Sequence, residues 1–256
     1  MQQRIIHDKI IIKNSMGDSM SYVKVTAEGL KRRKKRNKIA KITLVVIILL
    51  LTVTYLILGI IYNGGRFTIT LDPEFSTKSG IVLYDNLQRT NKVNRLYAKN
   101  IDFMDNISVN WLPDNLDNAA DGPHNGDNYI AYTFYLANEG PEEIHYWVEC
   151  YIDDVIKNVD EAVRVMIYLN GERTIYAKKN LLTGLAENGT DTFYSDDLAV
   201  LRQRKNFKPG DVDKYTVVIW LEGDDPDCVD ALIGGEIKMH MDITEEHIAD
   251  YTNKNK

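Results

Sequence analysis

Apolar residues form one unbroken run near the start of the chain, from Ile42 to Tyr62. These twenty-one residues contain no charged side chain. A helix rises about 1.5 Å per residue, so this run is long enough to span the hydrocarbon core of a bilayer. It predicts a transmembrane helix over residues 42–62, because nothing else in the chain could surround a helix that is apolar on all sides. A cleaved signal peptide is the alternative, although its apolar core is usually shorter, about 7–15 residues.

Beyond the helix, the pattern changes to apolar and polar residues in alternation, which is typical of β-strands. From Gly235 to Ile243, for example, Ile and Met alternate with Glu, Lys, His and Asp. The dipeptide Asn170-Gly171 between two such runs predicts a tight hairpin. The other predicted strands are Phe67–Leu71, Gly80–Tyr84, Ile107–Trp111, Ile130–Leu136, Tyr146–Ile152, Val163–Leu169, Glu172–Ala177 and Lys214–Leu221.

About eight strands joined by loops rich in Gly, Asn and Asp predict a mainly β domain with few helices. We expect an antiparallel β-sandwich of jelly-roll or Greek-key type, with short helical turns at Asn158–Ala162 and Asp230–Ile233. The predicted organisation is a basic cytoplasmic tail at 1–41, the transmembrane helix at 42–62, an extracellular β-sandwich domain at 63–243 and a polar C-terminal tail at 244–256.

Charge differs sharply on the two sides of the apolar run. Residues 1–41 carry twelve Lys or Arg against three acids, whereas residues 63–256 carry nineteen against thirty-four. Basic flanks stay on the cytoplasmic side, so we expect the N-terminus inside and the β domain outside the cell membrane. The flank would also bind anionic lipid headgroups, and nucleic-acid binding is disfavoured because no aromatic platform accompanies it. The membrane-flanking cations are Lys31, Arg32, Arg33, Lys34, Lys35, Arg36, Lys38 and Lys41.

A turn, a strand and a glycine pair follow one another near the end of the chain, at Lys208-Pro209-Gly210-Asp211, Tyr215–Leu221 and Gly234-Gly235. This order resembles the closing strands of the camelysin and TasA biofilm-fibre family of Firmicutes. The resemblance implies a jelly-roll ectodomain that follows a basic start and one apolar helix. A retained helix is a departure from the family, because its fibre subunits are released by a signal peptidase. Retention therefore argues against assembly into soluble fibres.

Three further segments resemble an uncharacterised group of membrane-anchored proteins from the same bacteria. They are Trp111–Asn115, His124–Thr133 and Asn158–Ala162. This resemblance implies a single-pass Firmicute cell-surface protein, and it brings no activity with it.

Motifs for catalysis are absent from the sequence outside the predicted membrane span. It contains no Gly-x-Ser-x-Gly and no His-Glu-x-x-His. Adjacent acids such as Asp153-Asp154 could serve a glycosidase, but thirty-four acids in one domain make such pairs unavoidable. We therefore expect no enzyme, and instead a structural, adhesive or ligand-recognition role in the bacterial envelope. The alternative is a transmembrane sensor or regulator whose ectodomain binds an extracellular signal.

An acidic loop is the one place where the sequence suggests a metal. Glu222, Asp224, Asp225 and Asp227 place four carboxylates within six residues. Hard oxygen ligands of this kind suit calcium. The alternative is a turn whose acids are simply solvated, and no other cofactor is expected.

Cys150 and Cys228 are the only cysteines, and both are expected outside, where a disulfide between them could form. Alternatively, Cys150 packs as a small hydrophobe in its strand.

Exposed aromatic side chains could also stack on sugars, although such residues more often fill the core or cover its rim. In the strand at 130–136, Tyr129, Thr133 and Tyr135 lie opposite Ile130 and Phe134, so only that face could serve. The expected partners are the lipid bilayer and envelope proteins or glycans, with the anchored chain a monomer or small cluster.

Overall fold

The computed structural model describes residues 27–63, 66–99, 101 and 103–245. The chain divides into two compact units, Met1–Gly64 and Gly65–Lys256. The predicted cytoplasmic tail before Ala27 and the predicted C-terminal tail beyond Glu245 lie outside the described residues.

The first unit contains one long helix, α1, which runs from Ala27 to Asn63. The basic flank and the apolar run are continuous in this helix, and all side chains from Lys31 to Leu58 are exposed. Within Lys31–Leu58, the most apolar stretch of eighteen residues has a mean hydropathy of 2.6, and the segment is long and apolar enough to cross a membrane. The predicted apolar helix is therefore confirmed. A signal sequence near the N-terminus also passes this test of length and apolar composition.

The second unit is mainly β. Its short helix, α2 (Pro73–Ser79), begins where the Asp72 side chain accepts a hydrogen bond from the Phe75 N–H at 2.8 Å. Single 3-10 turns lie at Val109–Trp111, Leu116–Asn118, Val159–Glu161 and Asp230–Leu232. The strands are β1 (Thr68–Leu71), β2 (Ile81–Tyr84), β3 (Lys92–Val93), β4 (Arg95–Tyr97), β5 (Gly122–Pro123), β6 (Ile130–Asn138), β7 (Ile144–Ile156), β8 (Val163–Leu169), β9 (Glu172–Ala177), β10 (Asp191–Thr192), β11 (Leu198–Phe207), β12 (Val212–Leu221) and β13 (Glu236–Thr244).

These strands form two sheets. The five-stranded sheet has the order β11-β7-β13-β1-β4, and the eight-stranded sheet has the order β10-β9-β8-β12-β6-β2-β3, with β5 paired to β6. Most pairs are antiparallel, as predicted, but β1 is parallel to β13 and β10 is parallel to β9. β1, the first strand after α1, lies inside its sheet between β13 and β4.

One cluster of buried apolar side chains has members from both sheets. Cys150 on β7 and Met241 on β13 come from the five-stranded sheet, and Val217 on β12 comes from the eight-stranded sheet. The rings of Phe134 and Tyr215 stack with their centroids 5.3 Å apart in the same cluster. The period-two pattern thus arises because alternate side chains of each sheet enter a shared core.

Asp213 on β12 links the two sheets through buried polar contacts. Its Oδ2 accepts hydrogen bonds from the Tyr146 hydroxyl at 2.6 Å and from Arg204 Nε at 2.9 Å. Its Oδ1 accepts one from Asn170 Nδ2 at 2.8 Å. Burial, together with the neighbouring charges of Tyr215 and Asp213, raises the pKa of Tyr146 far above its ordinary value. The tyrosine therefore remains a hydrogen-bond donor to the carboxylate.

Seven of the predicted strands are confirmed with both bounds within two residues, and the predicted strand Tyr146–Ile152 lies within the longer β7. The hairpin is confirmed as well: Asn170 and Gly171 have φ angles of 53° and 88°, which fit the tight turn between β8 and β9. The turns predicted at Asn158–Ala162 and Asp230–Ile233 are present as 3-10 turns.

One predicted strand is wrong. At Ile107–Trp111 the structure has a single bridge from Ile107 to Glu222 followed by a 3-10 turn. The apolar residues of this segment do not form a strand. Ile107 packs instead with Val218 and Trp220 on the outer face of β12. This packing also explains why β12 is apolar on both faces.

Candidate functional site

The predicted metal loop follows directly after β12, and its first carboxylate is held by protein donors. Glu222, 7% exposed, accepts hydrogen bonds from the Val109 N–H at 3.0 Å and from Trp220 Nε1 at 3.1 Å. Asp224 Oδ2 accepts one from the Ser108 hydroxyl at 2.5 Å. These two carboxylates fasten the segment at 108–109 to the end of β12.

The other two acids of the loop have different partners. Asp225 forms a buried ion pair with Arg164 of β8, and the two side chains are 1% and 4% exposed. The Asp227 N–H donates to Asp225 Oδ1 at 2.8 Å. Asp227 Oδ2 in turn accepts from the Leu181 N–H at 2.8 Å. The loop is thus attached to β8 and to the segment that follows β9.

The structure does not gather all four predicted ligands at one point. It instead brings Asp225 and Asp227 together with Glu187, and one carboxylate oxygen of each lies within 4.8 Å of the others. Sequence reasoning missed Glu187 because it is about forty residues away in the chain and lies in a loop with no acidic neighbour in sequence.

A cavity of about 210 Å³ opens beside these carboxylates. Its wall includes Arg164, Glu187, Trp220, Glu222 and Asp225. Clefts that hold drug-sized ligands usually measure about 300–1,000 Å³, so this cavity suits an ion or a very small molecule.

A second polar cluster lies on the outer face of the five-stranded sheet. His240 of β13 pairs in register with Tyr151 of β7, and their rings stack with centroids 5.1 Å apart. His240 Nε2 lies 3.5 Å from Asp242 Oδ2, and Nδ1 lies 2.8 Å from Asp153 Oδ1. The hydrogen bond to Asp242, with support from Asp153, raises the pKa of His240 to about 9 despite partial burial. A charged imidazole and an aromatic ring are therefore presented together on this surface.

The face predicted for sugar stacking on the 130–136 strand is not open. Thr133 and Tyr135 are buried. Thr133 Oγ1 lies 2.7 Å from Thr216 Oγ1, and the Tyr135 hydroxyl donates to Asp121 Oδ1 at 2.5 Å. The possibility of sugar stacking is therefore closed for these two side chains, because the chain between Ile107 and Asp121 packs over that part of the eight-stranded sheet.

Both cysteines are free thiols in this structure. Cys150 is fully buried in the shared core, and burial raises its pKa strongly. Cys228 is partly exposed, and its Sγ accepts a hydrogen bond from Asn106 Nδ2 at 3.2 Å. The structure therefore does not join them, and it agrees with Cys150 as a small hydrophobe.

Comparison with known proteins identifies no family. No protein-family model matches the chain, and no curated protein matches it. Among solved structures, one match is the crystal structure of a beta-glucosidase from Kluyveromyces marxianus in complex with glucose. The match has a TM-score of 0.24 and 14% sequence identity, and it covers 73% of this chain but only 18% of the glucosidase chain. A similarity this weak says nothing about fold or activity.

Proposed function

We propose that this protein is a single-pass, membrane-anchored cell-surface protein whose outer part is a β-sandwich of jelly-roll or Greek-key type. Its role in the bacterial envelope is structural, adhesive or ligand-recognising, without catalysis. The observation that carries this proposal is α1, where a basic flank passes into an apolar run whose described side chains are all exposed.

The exposed side chains of α1 give the physical reason for a membrane anchor. Between Ile42 and Leu58, the large apolar residues are 44% to 76% exposed. Full burial of an exposed Val, Leu or Ile side chain contributes about 1.5–3 kcal/mol, so side chains exposed to this extent each contribute roughly 1–2 kcal/mol when they leave water. The helix is therefore strongly stabilised in a bilayer. Its backbone N–H and C=O groups are already hydrogen-bonded to one another, which the hydrocarbon core requires.

The basic flank supports one orientation. Its eight cations lie on the first turns of α1 and are all exposed, where they can contact anionic headgroups. Translocation of such a flank is disfavoured, which leaves the N-terminus in the cytoplasm and the β-rich unit outside.

Protease treatment of intact protoplasts tests the anchor and its orientation. With a tag at each end of the chain, we expect loss of the C-terminal tag and retention of a membrane-bound stub with the N-terminal tag. A matched variant with all eight flanking cations replaced by glutamine should show part of the β-rich unit protected. Complete protection of the unaltered protein would contradict the orientation, and release of the β-rich unit with a new N-terminus near Gly65 would indicate a signal peptide.

A recognition role is supported by the outer face of the five-stranded sheet. Tyr151 of β7 is partly exposed and stacks on His240, which lies beside its carboxylate partners on this face. The partly exposed Trp147 lies four residues earlier on the same strand, opposite Thr244 of β13. Aromatic rings next to hydrogen-bonding groups are a common way to hold sugars or peptides.

Sedimentation of the full-length protein in detergent with purified cell-wall polymer tests recognition. Tyr151→Ala should reduce the bound fraction several-fold, because it removes the ring that stacks on His240. Trp111→Ala is the matched control, since Trp111 is 75% exposed but belongs to the segment over the other sheet. Equal binding by both variants and the unaltered protein would contradict a recognition role for this face.

A further inference from the structure

We propose that Glu187, Asp225 and Asp227 form a binding site for a calcium-class divalent cation. One carboxylate oxygen of each residue lies within 4.8 Å of the others. Two oxygens bound to one calcium ion at about 2.4 Å are at most about 4.8 Å apart. The three oxygens therefore already have a spacing that a single ion can bridge.

A separate observation concerns the side chain of Glu187. Oε1 of Glu187 is buried and accepts no hydrogen bond. Glu187 and Asp225 line the same cavity, so the unpaired oxygen belongs to a residue of the proposed site. A buried carboxylate oxygen without a donor is unfavourable, and native structures usually satisfy it with a protein group, water or an ion.

The balance of charge indicates a divalent ion. Three carboxylates meet here, and Arg164 is the cation that forms an ion pair with them among the described residues. Two negative charges are then left without a counter-charge. A divalent cation would neutralise both and remove the mutual repulsion of the carboxylates.

The chemistry of the ligands favours calcium over magnesium. Asp225 Oδ1 and Asp227 Oδ2 each accept one backbone N–H, which leaves further lone pairs on every carboxylate. Calcium accepts such irregular oxygen sets and completes its shell with water, whereas magnesium requires a nearly ideal octahedron. Soft metals are disfavoured because the three described ligands are all carboxylates.

This site differs from the four-carboxylate loop suggested by the sequence. Glu222 and Asp224 are occupied by Trp220, Ser108 and backbone donors, and they take no part in the proposed site. Glu187 joins instead, from the loop between β9 and β10. A bound ion would therefore fix this loop to the end of β12, and with it three leucines of the same loop that are 65% to 91% exposed: Leu181, Leu182 and Leu185.

Calcium titration of the full-length protein in detergent tests the proposal. Isothermal calorimetry should show one calcium bound per chain, and Glu187→Gln should weaken it at least about tenfold, since one of three anionic ligands is lost. Saturating calcium should raise Tm by about 5–10 °C relative to chelator in the unaltered protein, because the ion binds only the folded state. Glu172→Gln, an exposed acid of β9, is the matched control and should behave as the unaltered protein does.

The Glu187→Gln variant also shows whether Glu187 is a calcium ligand or is needed only for the fold. In chelator, its Tm should equal or exceed that of the unaltered protein, because the change removes an unpaired charge from a crowded acidic site. A variant that only damages the fold would instead lower Tm by the same amount with and without calcium, and this would overturn the proposal. Asp227→Asn should reproduce the loss of affinity. No calcium binding at millimolar concentration, or loss of binding in Asp224→Asn but not in Glu187→Gln, would also overturn it.

Discussion

Replacing Asp213 with asparagine tests how strongly one buried carboxylate holds the two sheets together. The side chain is 1% exposed and accepts hydrogen bonds from Tyr146 and Arg204 of the five-stranded sheet and from Asn170 at the β8–β9 turn. Asparagine keeps the size and one acceptor oxygen but removes the charge. The NH2 group of asparagine replaces one carboxylate oxygen, and it cannot accept the hydrogen bonds that this oxygen accepted.

The cost follows from these contacts. A hydrogen bond to a charged group contributes about 1.5–3 kcal/mol, and loss of one partner of a buried ion pair costs about 3–5 kcal/mol. The contributions overlap because the donors share one carboxylate, and the Arg204 side chain is 28% exposed, so water replaces part of the lost interaction. We therefore expect a loss of about 2–4 kcal/mol in the free energy of unfolding.

Thermal unfolding of the full-length protein in detergent, followed by near-ultraviolet circular dichroism, measures this loss. A domain of this size loses about 2–4 °C in Tm per kcal/mol, so Asp213→Asn should melt about 5–15 °C below the unaltered protein. Asp196→Asn is the control, because that side chain is fully exposed and its loss should cost less than about 0.5 kcal/mol. Equal Tm values for the two variants would refute the idea that Asp213 links the sheets.

Three further results are expected. Hydrogen bonds to Asp242 and then Asp153 raise the pKa of His240 from 6.5 to about 9, so its stabilisation is complete below pH 6.5 and is lost as pH rises through 9. After allowance for partial exposure, the Tm of the unaltered protein should fall over this range by the equivalent of about 1–2 kcal/mol, and that of His240→Gln should not. Gly140→Ala should destabilise by about 1–3 kcal/mol in urea unfolding, because its Cβ would lie 2.0 Å from the last carbonyl oxygen of α2. Alkylation at pH 8 should leave Cys150 unlabelled in the native protein and label it after denaturation, because burial raises its pKa.

Each of these results has a control and a contrary outcome. Parallel pH dependence in His240→Gln would remove the role of the imidazole. Gly223→Ala, where the nearest atoms lie at 3.6 Å, should be close to neutral, and equal losses at both glycines would contradict the steric argument. For the thiols, native protein should take one label at Cys228 and denatured, unreduced protein should take two; no label after denaturation would reveal a disulfide.

The strands that sequence predicts best are those whose two faces differ. β13 alternates cleanly because Met239, Met241 and Ile243 enter the shared core while the residues between them remain on the outer face. β11 was missed because its second half is polar, with Arg202 and Arg204, and this composition is typical of a loop. In the structure Arg204 is satisfied by Asp213, a partner on another strand that no local pattern can reveal.

The candidate cation site shows the same limit. Asp225 and Asp227 were found because they are close in sequence, but Glu187 is near them only after β8, β9 and β12 have paired. The helix α2 is a different case. It was not predicted, although the sequence contains local signals for it, with Asp72 and Pro73 at its start and Gly80 at its end. Contacts across the fold, unlike caps and alternation, need the sheet order before they can be inferred.

The position of β1 has a mechanical consequence for a tethered domain. β1 follows the first unit in the chain and is parallel to β13, with Thr68 opposite His240 and Leu71 opposite Ile243. A pull between the start of β1 and the end of β13 therefore acts along both strands and loads all their hydrogen bonds together, instead of opening them one after another. Forced unfolding depends on the height of the unfolding barrier rather than on equilibrium stability. If α1 is the membrane anchor that we propose, this arrangement would let the domain resist shear even where its net free energy of folding is modest.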